Sequence, residues 1–342
     1  MSIASRLHNA GKKVTSVVAA TAVTATLMVF GAGTAEAANR DWLRPDATGT
    51  CEWDASGHWV QRCDVWSPAM DRTVPVLVQP AQRGGDAGFY LLDGMRADPH
   101  QTGWTMFSDA QVTYEDSNIN LIMPIGGAGT FYADWVDPGN TFSSSDPQVI
   151  KWETFLTAEL PGYLQQHFGV NPNRNSIAGL SMGGTAALNI AARHPEMYQQ
   201  AMSFSGYLTT TAPGMQTMIR FALLETGGLN LNSMYGALIS PRQFENDPYW
   251  NMEGLRGKDI YVSASTGTWT GGDWNLPLWD RIVGWGLEAV SRSTTVSWER
   301  KAREIGLNPT VDYPPTGIHR WGIWTDQMHK TKGRVLDVMN AW

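Results

Sequence analysis

Three residue types in this chain can do acyl chemistry together: a serine between two glycines, a carboxylate and a histidine. The pentapeptide Gly179-Leu180-Ser181-Met182-Gly183 fits G-x-S-x-G, in which the glycines let a strand turn abruptly into a helix and leave the serine exposed at the apex. Ile177 and Ala178 end a short apolar run, and Thr185 to Arg193 is a good helix former closed by Pro195. A helix starting directly after Ser181 aims backbone N–H groups at the serine oxygen, where they favour developing negative charge. The hydroxyl is a poor nucleophile until a base takes its proton, and the base needs a carboxylate to fix its tautomer. Of the three histidines after Ser181, His194 lies at the far end of the helix and His329 in a polar terminal helix. His319, in the loop Pro-Pro-Thr-Gly-Ile-His-Arg-Trp ahead of that terminal helix, is the expected base. The acid should lie between serine and histidine in the chain, which admits Asp273, Asp280, Glu288 and Asp312; spacing alone leaves Asp273 and Glu288 open. An oxyanion hole needs the N–H of the residue after the serine, Met182, and one from an earlier strand end, most simply Met95 in Asp93-Gly94-Met95-Arg96.

These residues need a scaffold that brings strand ends together. Val74, Val76 and Val78 alternate as in a strand, and Gly88 to Leu92, Ile119 to Ile125, Ala201 to Phe204 and Asp259 to Ala264 read as short buried strands. Residues 151–168 carry apolar positions at helical spacing, with a kink expected at Pro161. The Met- and Leu-rich stretch 213–240 suits a helical cap over a cleft, and the Trp-rich stretch from Ala264 to Trp285 reads as a loop and a candidate lid. Strands alternating with helices indicate an α/β-hydrolase fold: a mainly parallel central sheet, helices on both faces, and active residues at the strands' C-terminal ends. The Gly126-Gly127-Ala128-Gly129 run lacks the Lys-Ser/Thr of a phosphate loop.

Composition narrows the classes. Hydrophobic content of 42% with 17% charged residues supports a large folded core. Arg6, Lys12 and Lys13 precede an apolar stretch from Val14 to Phe30, and Ala35-Glu36-Ala37 has a small-x-small cleavage pattern, so 1–37 is expected to be a secretory signal and 38–342 a single exported domain. Removing those three cations and Glu36 takes the formal charge from −7 to −9, which argues against nucleic acid as a partner. Cys51 and Cys63, in an exported chain, are expected to form a disulfide; neither pairs with residues that would make a metal site.

The chain resembles the trehalose mycolyltransferases, the mycobacterial antigen 85 complex and its corynebacterial relatives, from about Gly88 onward. The resemblance is carried by Leu91-Leu92-Asp93-Gly94-Met95-Arg96-Ala97 with Gly103-Trp104, by 123–127 with Phe131-Tyr132-Ala133-Asp134-Trp135, by Lys151-Trp152-Glu153-Thr154-Phe155-Leu156, by the Ser181 turn and by the His319 loop. It implies Glu288 as the acid, Met95 and Met182 as oxyanion donors, Asp93 and Arg96 as sugar contacts, and Trp321 lining the site. The implied reaction is ping-pong transfer of a mycolyl group from trehalose monomycolate, through Ser181, to a second trehalose monomycolate or to cell-wall arabinogalactan. No cofactor or metal is implied. The expected setting is the cell envelope, as a monomer in peripheral contact with the mycolate outer membrane.

Some positions depart from the family pattern. Thr102-Gly103-Trp104 stands where the family has Asn-Gly-Trp, and Phe107 where it has a further Asn, so one sugar contact is expected to be missing. Ala264 replaces a cysteine of many mycobacterial members, and Gly267 to Leu287 is longer and richer in Trp. These features and the Cys51/Cys63 pair fit a corynebacterial type of enzyme with shorter corynomycolyl chains. The same fold admits a secreted carboxylesterase, with water resolving the acyl-enzyme, and a non-catalytic matrix-binding adhesin.

Overall fold

The computed structural model describes residues 50–139, 148–236 and 239–342. The expected secretory signal over 1–37 lies outside them. The described residues form a sheet of nine strands: β1 (Thr50–Trp53), β2 (Gln61–Ser67), β3 (Arg72–Gln79), β4 (Gly88–Leu92), β5 (Asn120–Pro124), β6 (Asn175–Leu180), β7 (Tyr198–Phe204), β8 (Asp259–Ser263) and β9 (Thr310–Asp312), in the order β1-β2-β3-β5-β4-β6-β7-β8-β9. The first three strands and β5 pair antiparallel; β5, β4 and β6 to β9 run parallel. The apolar runs of β4, β5 and β6 are buried at every position, as strands covered on both faces must be.

Alternation along the strands assigns the two cores. Tyr90, Leu92 and Ile177 face one layer, with Ala187 and Ala191 of helix Met182–Arg193 and Trp298 of helix Leu278–Glu304. Phe89, Leu91 and Ala178 face the other, with Trp324, Met328 and Leu336 of helix Trp321–Met339. At the antiparallel edge Cys51 and Cys63 are register partners and are joined in a disulfide, Cα atoms 4.1 Å apart.

Two elements differ from the sequence expectation. The break in 151–168 is a π-helical turn, Phe155–Glu159, ahead of helix Leu160–Phe168, which has Pro161 in its first turn. Proline offers no N–H and crowds the preceding turn, and the hydrogen-bond ladder widens there. The stretch expected to be a loop and lid up to Trp285 is instead a short 3₁₀ turn, Gly271–Asn275, followed by the 27-residue helix that begins at Leu278.

Candidate active site

Ser181 directly follows β6 with φ 53° and ψ −123°, a conformation rare for a residue with a side chain, and stands at the start of helix Met182–Arg193. The flanking glycines make this turn possible by close approach. A Cβ on Gly179 would lie 2.2 Å from the Gly183 carbonyl oxygen, and one on Gly183 would lie 2.4 Å from the Asp93 carbonyl oxygen. The Ser181 N–H bonds the Phe204 carbonyl at 2.8 Å, tying the apex to the end of β7.

His319 joins the serine to a carboxylate. Its Nε2 lies 2.8 Å from Ser181 Oγ and its Nδ1 2.8 Å from Glu288 Oε2. The Glu288 carboxylate accepts the Nδ1–H, so Nε2 is free to accept the serine proton. Glu288 is fully buried, and its Oε1 accepts from the Ser265 N–H at 2.7 Å and the Ser205 hydroxyl at 2.9 Å, so both oxygens are engaged. The His319 N–H bonds the Gly284 carbonyl at 3.0 Å, fastening the histidine loop to the helix that carries Glu288. Asp273, the other carboxylate that spacing left open, faces away. It accepts from the N–H and hydroxyl of Thr270, capping the 3₁₀ turn, and pairs with Arg320 at 2.9 Å. These partners outweigh its burial and hold its carboxyl below the usual range.

Met182 is the first residue of its helix, so its N–H has no acceptor within the helix. Met95 lines the cleft, and its carbonyl accepts from the Gly129 N–H at 3.0 Å. A Cβ on neighbouring Gly94 would lie 3.5 Å from Ser181 Cβ, so this loop passes directly beside the serine. Asp93, buried at the end of β4, accepts from the Thr102 hydroxyl at 2.9 Å and the Gly103 N–H at 3.2 Å. Burial pushes its carboxyl up to about 7. Arg96 pairs with Glu225, both exposed at the cleft, and Trp321 packs against Trp104, Phe107 and Trp324.

These residues face a cleft of about 500 Å³. Its apolar walls include Phe131, Leu180, Leu287 and, from helix Met215–Gly227, Met215, Ile219 and Ala222. That helix is the cover expected over 213–240. The lid expectation for 264–285 is corrected: none of those residues lines the cleft, and Trp274, Trp279 and Trp285 are exposed. Phe107, expected to replace a sugar contact, lines the mouth. Ser205, Tyr207 and Ser265 were missed from sequence, although each follows the end of a parallel strand, where sites in such sheets gather.

The esterase family model matches residues 67–335. The diacylglycerol acyltransferase/mycolyltransferase Ag85C of Mycobacterium leprae is 33% identical over 287 residues, 82% of this chain and 83% of the relative. The Ag85A protein of Mycobacterium tuberculosis, of the same description, is 32% identical over 287 residues, 82% of each chain. Among solved structures, Mycobacterium tuberculosis MPT51 superposes with a TM-score of 0.71 at 26% identity, covering 82% of this chain and 98% of that one. An S-formylglutathione hydrolase from Agrobacterium tumefaciens shares the fold, with a TM-score of 0.60 at 14% identity over 85% of this chain and 98% of that one.

Proposed function

Because the chain belongs to the esterase family and, within it, with the Ag85 acyltransferase/mycolyltransferases, we propose that it moves a mycolyl group from trehalose monomycolate to another sugar hydroxyl through Ser181. The observation that carries this reading is the pair of 2.8 Å contacts placing His319 between Ser181 Oγ and Glu288 at an apolar cleft. Ser181 Oγ attacks the donor's ester carbon while its proton passes to His319 Nε2. The Met95 and Met182 N–H groups receive the carbonyl oxygen as it becomes negative. Glu288 stabilises the imidazolium. His319 then protonates the leaving trehalose oxygen, and the acyl group stays on the serine. An incoming sugar hydroxyl repeats the sequence in reverse, giving its proton to His319 and displacing Ser181.

The apolar wall of helix Met215–Gly227 suits an alkyl chain, and Asp93, Arg96 and Trp321, which line the cleft, are the proposed sugar contacts. The acyl group is of corynomycolyl length, and trehalose monomycolate or arabinogalactan is the acceptor. The protein works outside the cytoplasm, in contact with the mycolate outer membrane; the Cys51–Cys63 disulfide accords with an oxidising compartment. The test is incubation of the purified protein with trehalose monocorynomycolate, quantifying dimycolate and free acid beside Ser181→Ala. Serine-dependent dimycolate is expected. Free acid alone would make the enzyme an esterase, and no turnover would refute the assignment.

A further inference from the structure

A second groove lies at the other end of the sheet from the cleft. One wall is the turn between β1 and β2, with Trp53, His58 and Trp59. The facing wall is Glu115 and Asp116, just after helix Ala110–Thr113, with Lys332 of helix Trp321–Met339. The groove consists of two adjoining hollows of about 440 and 400 Å³ that share Trp59 and Glu115, each of small-ligand size. Its position follows from strand register. Gln79, whose amide donates to the His58 carbonyl at 2.7 Å, pairs with Leu121, and Asn120 pairs with Gly88. Asn120 and Gly88 are the first residues of β5 and β4, whereas Ser181 follows the last residue of β6.

The aromatic wall is held at several points. The Cys51–Cys63 disulfide closes the base of the turn, the Asp54 N–H bonds the Val60 carbonyl at 2.9 Å, and His58 Nδ1 meets Glu115 Oε2 at 2.8 Å across the groove. His58 and Trp59 have φ of 53° and 64°, rare for residues with bulky side chains, and such a backbone persists only where its surroundings fix it. Trp53 is 53% exposed and meets the half-buried Trp59 edge to face, ring centroids 6.2 Å apart. Trp53, His58 and Trp59 all precede residue 67, where the match to the esterase family begins. The shared fold therefore does not account for this wall.

The chemistry of the two walls points to one class of ligand. Lys332 Nζ pairs with Asp116 at 3.0 Å as His58 does with Glu115, so each carboxylate has a donor beside it and the groove does not present a single sign of charge. Donors and acceptors stand together next to indole rings. A sugar answers both features, because each hydroxyl can donate and accept while the C–H face of the ring packs on an aromatic surface. We propose that this groove is a second binding site, for a neutral sugar chain of at least two rings. It holds the protein on a glycan while the cleft at the opposite end of the sheet stays open, and no bond is made or broken there. Rigid aromatic side chains on a turn fixed in advance keep the entropic cost of such binding low.

The test is calorimetric titration of the intact protein with two probes, trehalose and solubilised arabinogalactan, before and after treatment with a fluorophosphonate that blocks the cleft. Binding at the groove is expected to survive the treatment, so the result does not depend on the acyl-transfer reading. Replacing both indoles, Trp53→Ala with Trp59→Ala, should weaken binding about tenfold, the worth of the lost aromatic contacts. Asp116→Ala, an exposed position on the facing wall, should weaken it about threefold, as for one hydrogen bond, with the melting temperature and the turnover of a short-chain ester unchanged. Binding of trehalose alone would name the head group of a trehalose lipid as the ligand's source, and binding of the polymer would name the wall glycan. No binding by the wild type, equal binding by both variants, or loss of binding once the cleft is blocked would overturn the inference.

Discussion

Replacing Glu288 with glutamine tests the relay at its least accessible member. Three donors converge on this buried carboxylate: His319 Nδ1–H at 2.8 Å, Ser265 N–H at 2.7 Å and the Ser205 hydroxyl at 2.9 Å. Glutamine has the same shape but only one oxygen, and its amide nitrogen must face one side of this set. The Ser265 N–H belongs to the backbone just after β8 and cannot turn away, so the glutamine oxygen is expected to face Ser265 and Ser205. Its NH₂ then meets His319 Nδ1, which must become the acceptor, moving the imidazole proton to Nε2. In that tautomer the ring cannot take the serine proton. The cost expected for a wrong-tautomer histidine is about ten-thousandfold in kcat, or about 5 kcal/mol of transition-state stabilisation. The assay is steady-state turnover of a short-chain ester together with fluorophosphonate labelling, with circular dichroism confirming the fold. A Glu288→Gln enzyme within about tenfold of the wild type would refute the tautomer argument, since such a deficit is far short of the expected loss.

Two further outcomes follow from groups around the site and at the sheet edge. Asp93 has an ordinary carboxyl value of 3.8 and is pushed up to about 7, chiefly by burial, so between those limits the folded state holds more protons than the unfolded. Its contribution to stability is therefore full below about pH 4 and is lost as pH rises through 7. Asp93→Asn should melt with a smaller difference between pH 5 and pH 8 than the wild type, and an identical difference would refute the assignment. The Cys51–Cys63 disulfide closes a short loop with a sequence separation of 12, and replacing both cysteines by serine should cost about 2–4 kcal/mol in chemical denaturation. Reductant should lower the stability of the wild type but not of that variant, and equal sensitivity would refute the disulfide's contribution.

Several parts of the site were legible because their demands are local. Gly179 and Gly183 are required by backbone contacts of 2.2 and 2.4 Å at the Ser181 turn, and a requirement that steric leaves a pentapeptide signature. His319 could be found by elimination, since His194 caps the far end of helix Met182–Arg193 and His329 lies in the terminal one. The buried runs of β4, β5 and β6 gave a strand pattern without partners in view. Strand β9 has only three residues, too few for a periodic signal.

The choice between Asp273 and Glu288 lay beyond spacing, and a family resemblance rather than residue chemistry selected Glu288. The reason is visible in helix Leu278–Glu304. Its buried face runs through Gly284, Glu288, Ser291, Thr295 and Trp298, mostly small or polar residues at helical spacing, while Trp279, Ile282 and Trp285 face solvent. A reading based on apolar periodicity therefore found a loop where a helix stands. Sequence alone determined the turn at Ser181, the histidine able to serve it and the layered α/β character of the chain, because each follows from local sterics or from strand burial. Only the tertiary structure decided which carboxylate meets His319 and what covers the cleft. Those contacts join distant segments, and they depend on which face of a helix or end of a strand the packed sheet presents.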